Sequence, residues 1–80
     1  MTIRVLFFAY LRERCGVREL AVELPEGATV EELWRVLIAR YDRLPAEPPR
    51  FALNRLYVDK AHPLHDNDEL ALIPPVSGGN

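Results

Sequence analysis

The sequence is short of nearly everything that builds a self-contained catalyst. It has one cysteine, Cys15, among eighty residues, which excludes an internal disulfide and suits a reducing cytoplasm. Its two histidines, His62 and His65, lie near Asp59, Asp66 and Asp68, but their spacing fits neither a zinc motif nor an alternating calcium loop. No metal site is expected, and Asp66-Asn67-Asp68 reads as turn chemistry. There is no serine–histidine–aspartate set and no glycine loop to cradle phosphate. No sign of charge dominates: the net charge is −2 and no basic stripe is present, which argues against a nucleic-acid partner. No apolar run approaches the roughly 20 residues of a membrane span. Met1-Thr2-Ile3-Arg4 enters a strand pattern with no room for a signal peptide. A cytoplasmic protein with no membrane partner is expected. Length is the last shortage. A chain of this size buries only around 60% of its unfolded surface, enough for one thin core with little room for a deep cavity, so a role in which another protein supplies the pocket fits better.

What is present is well punctuated. All seven prolines fall between or after the periodic segments, where a missing amide donor does least harm. Thr2 to Phe8 is β-branched and aromatic and reads as a strand. Ala9 to Cys15 reads as a short helical turn stopped by Gly16. From Arg18 to Leu24, Leu20, Val22 and Leu24 alternate with Glu19, Ala21 and Glu23, which predicts a second strand. Thr29 and Glu32 have capping-box spacing. Val30, Leu33, Trp34, Leu37, Ile38 and Tyr41 then fall on one helical stripe. Asp42 to Arg50 reads as a loop. Phe51 to Asn54 and Leu56 to Val58 read as short strands with a kink at Asn54-Arg55, and Glu69 to Ile73 as the final strand. One helix must pack on one sheet face. The predicted class is α+β: a β-grasp, a mixed sheet holding one main helix. It spans residues 1–75, with a short tail over 76–80.

The first strand is apolar on both faces, since Ile3, Val5 and Phe7 alternate with Arg4, Leu6 and Phe8. The last strand repeats this, with Leu70 and Leu72 against Ala71 and Ile73. One helix covers one face only. Leu6, Phe8 and Ile73, with Tyr57, are therefore expected as an exposed apolar surface for a partner. The alternative is that both strands are central and loops cover that face.

The tail is the other candidate. Pro74-Pro75 favour an extended exit from the sheet. Val76-Ser77 follow, and then Gly78-Gly79, which lack side chains and can thread a narrow channel. Such a tail can carry a terminal carboxylate into another protein's active site, where adenylation would activate it. The bland reading is a frayed chain end.

Several stretches carry a resemblance. Val5-Leu6-Phe7-Phe8-Ala9, Leu11-Arg12-Glu13, Gly27-Ala28-Thr29-Val30, Asn54, and the run from Asp66 to Gly79 resemble the small subunits of molybdopterin synthase. These are ubiquitin-like sulfur carriers of β-grasp fold. The resemblance implies that an adenylating enzyme of the ubiquitin-activating class uses ATP and Mg²⁺ on the terminal glycine carboxylate. A sulfur donor protein then converts the adenylate to a thiocarboxylate. The tail next enters the large synthase subunit, within a heterotetramer, and gives its sulfur to cyclic pyranopterin monophosphate in molybdenum cofactor biosynthesis. The resemblance further implies that the chain binds no cofactor and has no active site of its own. By position, Gly79 carries the reacting carboxyl and Gly78 is its channel partner. Phe8, Tyr57, Ile73, Pro74, Pro75, Val76 and Ser77 fall where such carriers meet their partner.

Two departures stand out. The family's Asp-Gly-Asp turn is Asp66-Asn67-Asp68 here, and Asn tolerates the left-handed conformation the turn needs. The family ends on glycine, whereas Asn80 follows Gly79; either Asn80 is removed or the chain is inactive as written. Cys15 could carry sulfur as a persulfide instead, against the plainer reading of a small, partly buried apolar residue. Two other functions share the fold: a related carrier or modifier serving thiamine, tRNA thiolation or conjugation, and a binding module with an inert tail.

Overall fold

The computed structural model of the chain describes residues 1–74. The expected tail positions Pro75, Val76, Ser77, Gly78, Gly79 and Asn80 lie outside the described residues. The elements run β1 (Thr2–Phe7), α1 (Ala9–Cys15), β2 (Glu19–Glu23), α2 (Val30–Arg40), β3 (Arg50–Leu53), β4 (Leu56–Val58) and β5 (Glu69–Ile73).

The strands form one sheet in the order β2-β1-β5-β3-β4. β1 pairs antiparallel with β2 and parallel with β5, and β3 pairs antiparallel with both β5 and β4. A parallel neighbour requires a long crossover, and the chain between β1 and β5 contains α2, which packs on one face. This mixed sheet around one helix is the β-grasp.

The helix starts where the sequence indicates. Glu32 N–H donates to the Thr29 hydroxyl at 3.3 Å, and Thr29 N–H donates to the Glu32 carboxylate at 2.9 Å. Each satisfies an amide that the first turn leaves without a helical partner. Val30, Leu33, Trp34 and Leu37 are buried against Ile3, Val5, Phe7, Leu70 and Leu72 of the two central strands. Edge-to-face aromatic pairs fix the ends of this core: Trp34 meets Phe51 and Phe7 meets Tyr41, each at 5.9 Å between centroids.

Four expectations are adjusted. β1 stops at Phe7, because Ala9 takes a positive φ of 52° and turns the chain into α1. Ile38 is 41% exposed rather than core, since it sits at the edge of the helical stripe. Arg50 belongs to β3 rather than to the preceding loop. Asn54 and Arg55 are not a kink within strand but the two central residues of a hairpin, both at positive φ (48° and 75°). That turn matches the right-handed twist of the strands it joins.

Candidate functional site

The site is the sheet face away from α2. Strand alternation sends Leu6, Ala71, Ala52 and Tyr57 to that face, and the registers Leu6↔Ala71, Ala71↔Ala52 and Ala52↔Tyr57 set them in one row across four strands. Two alanines in the middle of that row leave a hollow floor. Larger side chains stand around it, Leu6 and Phe8 on the β1 side, Tyr57 on the β4 side and Ile73 at one end. The resulting depression holds about 390 Å³.

β1 and β5 are indeed central strands, yet among the described residues nothing covers their outer side. Phe8 is 44% exposed and Tyr57 58%, while Phe7, one residue from Phe8, is 2% exposed. Ile73 is half-buried beside a fully buried Leu72. Pro74, the last described residue, is buried.

The face is polarised along the strands. At the start of β1 and β5 it is ionic: Arg4 lies 3.7 Å from Glu19 and 3.4 Å from Glu69. At the end of the same strands it is apolar, with Phe8 and Ile73. Because β1 and β5 are parallel, the apolar end is also the end at which the chain leaves the sheet after Ile73. Arg50, the register partner of Ile73, lies with its guanidinium 3.9 Å from the centre of the Tyr57 ring. That stacking holds the phenol at the rim of the hollow.

The acidic turn does structural work. Asn67 adopts φ 70°, the left-handed conformation its short amide tolerates. Asp66 accepts the Thr2 N–H at 2.7 Å and Asp68 accepts the His65 N–H at 2.7 Å. Asp68 also accepts from the Asn54 side-chain amide at 2.9 Å, and Asn54 in turn accepts the Glu69 N–H at 3.1 Å. These carboxylates are spent on tying the β3–β4 hairpin and the β1 start to the entrance of β5. The brace is the role that sequence reasoning missed for Asn54. Its only signal in the sequence is a lone asparagine between two strands.

Cys15 closes α1 and packs, half-buried, against the core. Burial pushes its thiol above the ordinary value, and the Arg14 guanidinium opposes this without reversing it. A thiol held in its protonated form is a poor nucleophile and a poor sulfur shuttle. Gly78 and Gly79, the residues expected to react, lie outside the described residues.

Comparison with known proteins places this geometry in a family. The molybdopterin synthase sulfur carrier subunit of Chlamydomonas reinhardtii is 46% identical, covering 99% of this chain and all of that protein. The solved structure of SAMP1, a small archaeal modifier protein of Haloferax volcanii, superposes with a TM-score of 0.88 at 27% identity, covering 99% of this chain and 100% of the other. A chain in the complex of subunits 1 and 2 of molybdopterin-converting factor from Helicobacter pylori is also similar, with a TM-score of 0.70 at 27% identity, covering 99% of this chain and 100% of that one. The ThiS family's sequence model matches residues 5–79, and the chain belongs to the ThiS family.

Proposed function

We propose that the chain is the sulfur-carrying subunit of a molybdopterin synthase. One observation carries the reading: the apolar end of the open sheet face coincides with the end at which β5 delivers the chain toward Gly78-Gly79. A docking face and a reactive tail must be contiguous if one partner is to bind the first and receive the second. In this reading Phe8, Tyr57 and Ile73 dock against a large subunit, and Pro74-Pro75-Val76-Ser77 carry the two glycines into its active site.

The chemistry follows from the terminal carboxylate. In an adenylating enzyme of the ubiquitin-activating class, a Gly79 carboxylate oxygen attacks the α-phosphorus of Mg²⁺-bound ATP and pyrophosphate leaves. The outer sulfur of a donor protein's persulfide then attacks the acyl carbon and AMP leaves; a second thiol cleaves the S–S bond of the resulting acyl disulfide, which releases the thiocarboxylate and leaves the donor as a disulfide. Within the large subunit that sulfur passes to cyclic pyranopterin monophosphate. Side chains near Gly79 would obstruct such a channel, so two glycines suit it. The test is reconstitution. A thiocarboxylated chain ending at Gly79, mixed with a large subunit and cyclic pyranopterin monophosphate, is expected to yield the dithiolene pterin. A carrier that binds the large subunit yet yields no dithiolene overturns the reading.

A second reading has one observation in its favour. The Haloferax protein is a modifier by name, and its backbone superposes over nearly the whole chain. An activated glycine carboxyl can acylate an amine as well as accept sulfur. Conjugates of this chain on cellular proteins, without any effect of its loss on the molybdenum cofactor, would favour the modifier.

A further inference from the structure

The chain carries ten basic residues, yet all but Lys60 are arginine. Arginine stays protonated and does not attack acyl groups at neutral pH, whereas the ε-amine of lysine does once it loses a proton. Only two primary amines exist in the molecule, those of Lys60 and Met1. They are held differently. The Met1 ammonium is half-buried and donates to the Leu24 carbonyl at 2.7 Å. The Lys60 side chain is 64% exposed, and its Nζ lies 4.0 Å from the Glu31 carboxylate. The one thiol, Cys15, is half-buried in its protonated form.

Lys60 is also well placed. It follows β4, the outermost strand on its side of the sheet, whose outer backbone edge carries no partner strand among the described residues. With Arg50, Tyr57, Val58 and Asp59 it borders an open depression of about 420 Å³ beside that edge. An unpaired edge is where an extended peptide can align by backbone hydrogen bonds. The exposed Lys60 amine stands beside that edge, with the Glu31 carboxylate 4.0 Å away.

We propose that Lys60 is the single acceptor on this chain for an activated carboxyl terminus of the same protein. The inference rests on the reading that Gly79 is adenylated. The neutral Lys60 amine attacks the acyl carbon, an amide C–N bond forms and the C–O bond to AMP breaks. AMP leaves, and the amine's proton passes to Glu31 or to water. The arginine-rich remainder of the surface is inert to the same acyl donor. The activated carrier is thereby protected from acylating its own kind at random, and one defined linkage is left open.

The test uses the chain ending at Gly79 with an adenylating enzyme and ATP, and no sulfur donor. Intact mass separates the two sources of the carboxyl. A second copy gives a dimer short by one water, and the chain's own terminus gives a monomer short by one water. The expected result is one linked species whose fragmentation maps the bond to Lys60, and which Lys60→Arg lowers at least about tenfold, an estimate from the advantage of a positioned amine. Linkage at Met1, or adenylate formation without linkage, overturns the proposal. If no adenylate forms, the sulfur-carrier reading is what fails. A synthetic Pro-Pro-Val-Ser-Gly-Gly thioester then tests Lys60 without the enzyme. Free α-amines ordinarily outcompete lysines near neutral pH, because more of them are unprotonated. Acylation of Lys60 ahead of Met1 supports the proposal, and the reverse order overturns it.

Discussion

At the scale of single residues, the decisive contrast is between neighbours. Phe7 is 2% exposed and Phe8 44%, because alternation turns them to opposite faces. Phe8→Asp is expected to leave the fold intact, since exposed positions change stability by only about 0.5 kcal/mol. It should weaken binding to the large subunit at least about thirtyfold, the cost of losing a central aromatic anchor. Calorimetric titration alongside a thermal melt checks both halves. An unchanged affinity would remove this face from the interface. Cys15 gives the opposite expectation. Cys15→Ser should leave sulfur transfer intact, and at pH 8 the native thiol should alkylate more slowly than free cysteine because burial holds its proton. The sign is fixed by that burial. A thiol raised in the folded state contributes its full stability below its ordinary value of 9.0, and loses it as pH rises through the higher folded value. The Phe7/Phe8 alternation was legible because strand period is two and both residues are apolar. The bracing role of Asn54 was not, because its partners Asp68 and Glu69 are fourteen and fifteen residues away in sequence.

At the scale of elements, the sequence is informative wherever local chemistry decides and weak wherever packing does. The start of α2 is decided locally. Thr29 and Glu32 satisfy each other's backbone amides, so Thr29→Ala should cost about 1 kcal/mol and lower the melting temperature by roughly 4–8 °C for a domain of this size. Ile38 falls on the helical stripe by spacing but stays 41% exposed. Which edge of the stripe the sheet covers depends on how α2 crosses the strands, and periodicity does not carry that. The β3–β4 connection lies between these cases. Two short apolar runs separated by Asn54-Arg55 signal a break, but arginine is an uncommon residue for a turn with φ 75°. Arg55→Gly should therefore stabilise the hairpin by up to about 1 kcal/mol by relieving left-handed strain. A lower midpoint in urea for the glycine variant would mean that the Arg55 side chain contributes more than its backbone costs. The order β2-β1-β5-β3-β4 was not readable strand by strand. Only the central placement of β1 and β5 was within reach of the sequence, as the alternative reading of their two apolar faces.

At the scale of the whole molecule, the proposed function divides the labour between a domain that docks and a terminus that reacts. Among the described residues the thin core leaves no deep cavity, and the hollow on the open face is uncovered. Everything then turns on the residues after the last strand. A chain ending at Gly79 should accept AMP from a cognate adenylating enzyme and then sulfur, gaining about 16 Da as one oxygen is replaced, a difference set by the chemistry of covalent activation. A chain ending at Asn80 should not react until a peptidase removes that residue. The reason is steric and chemical together. A channel shaped for two glycines leaves no room for a branched polar side chain, and Asn80 also moves the terminal carboxyl one residue beyond Gly79. Intact-mass measurement on both forms, incubated with adenylating enzyme, ATP and a sulfur donor, distinguishes the cases. Equal conversion of both forms would overturn the channel argument and leave Asn80 as a tolerated extension. Failure of both forms with an enzyme that activates another carrier would leave a docking module whose tail is inert.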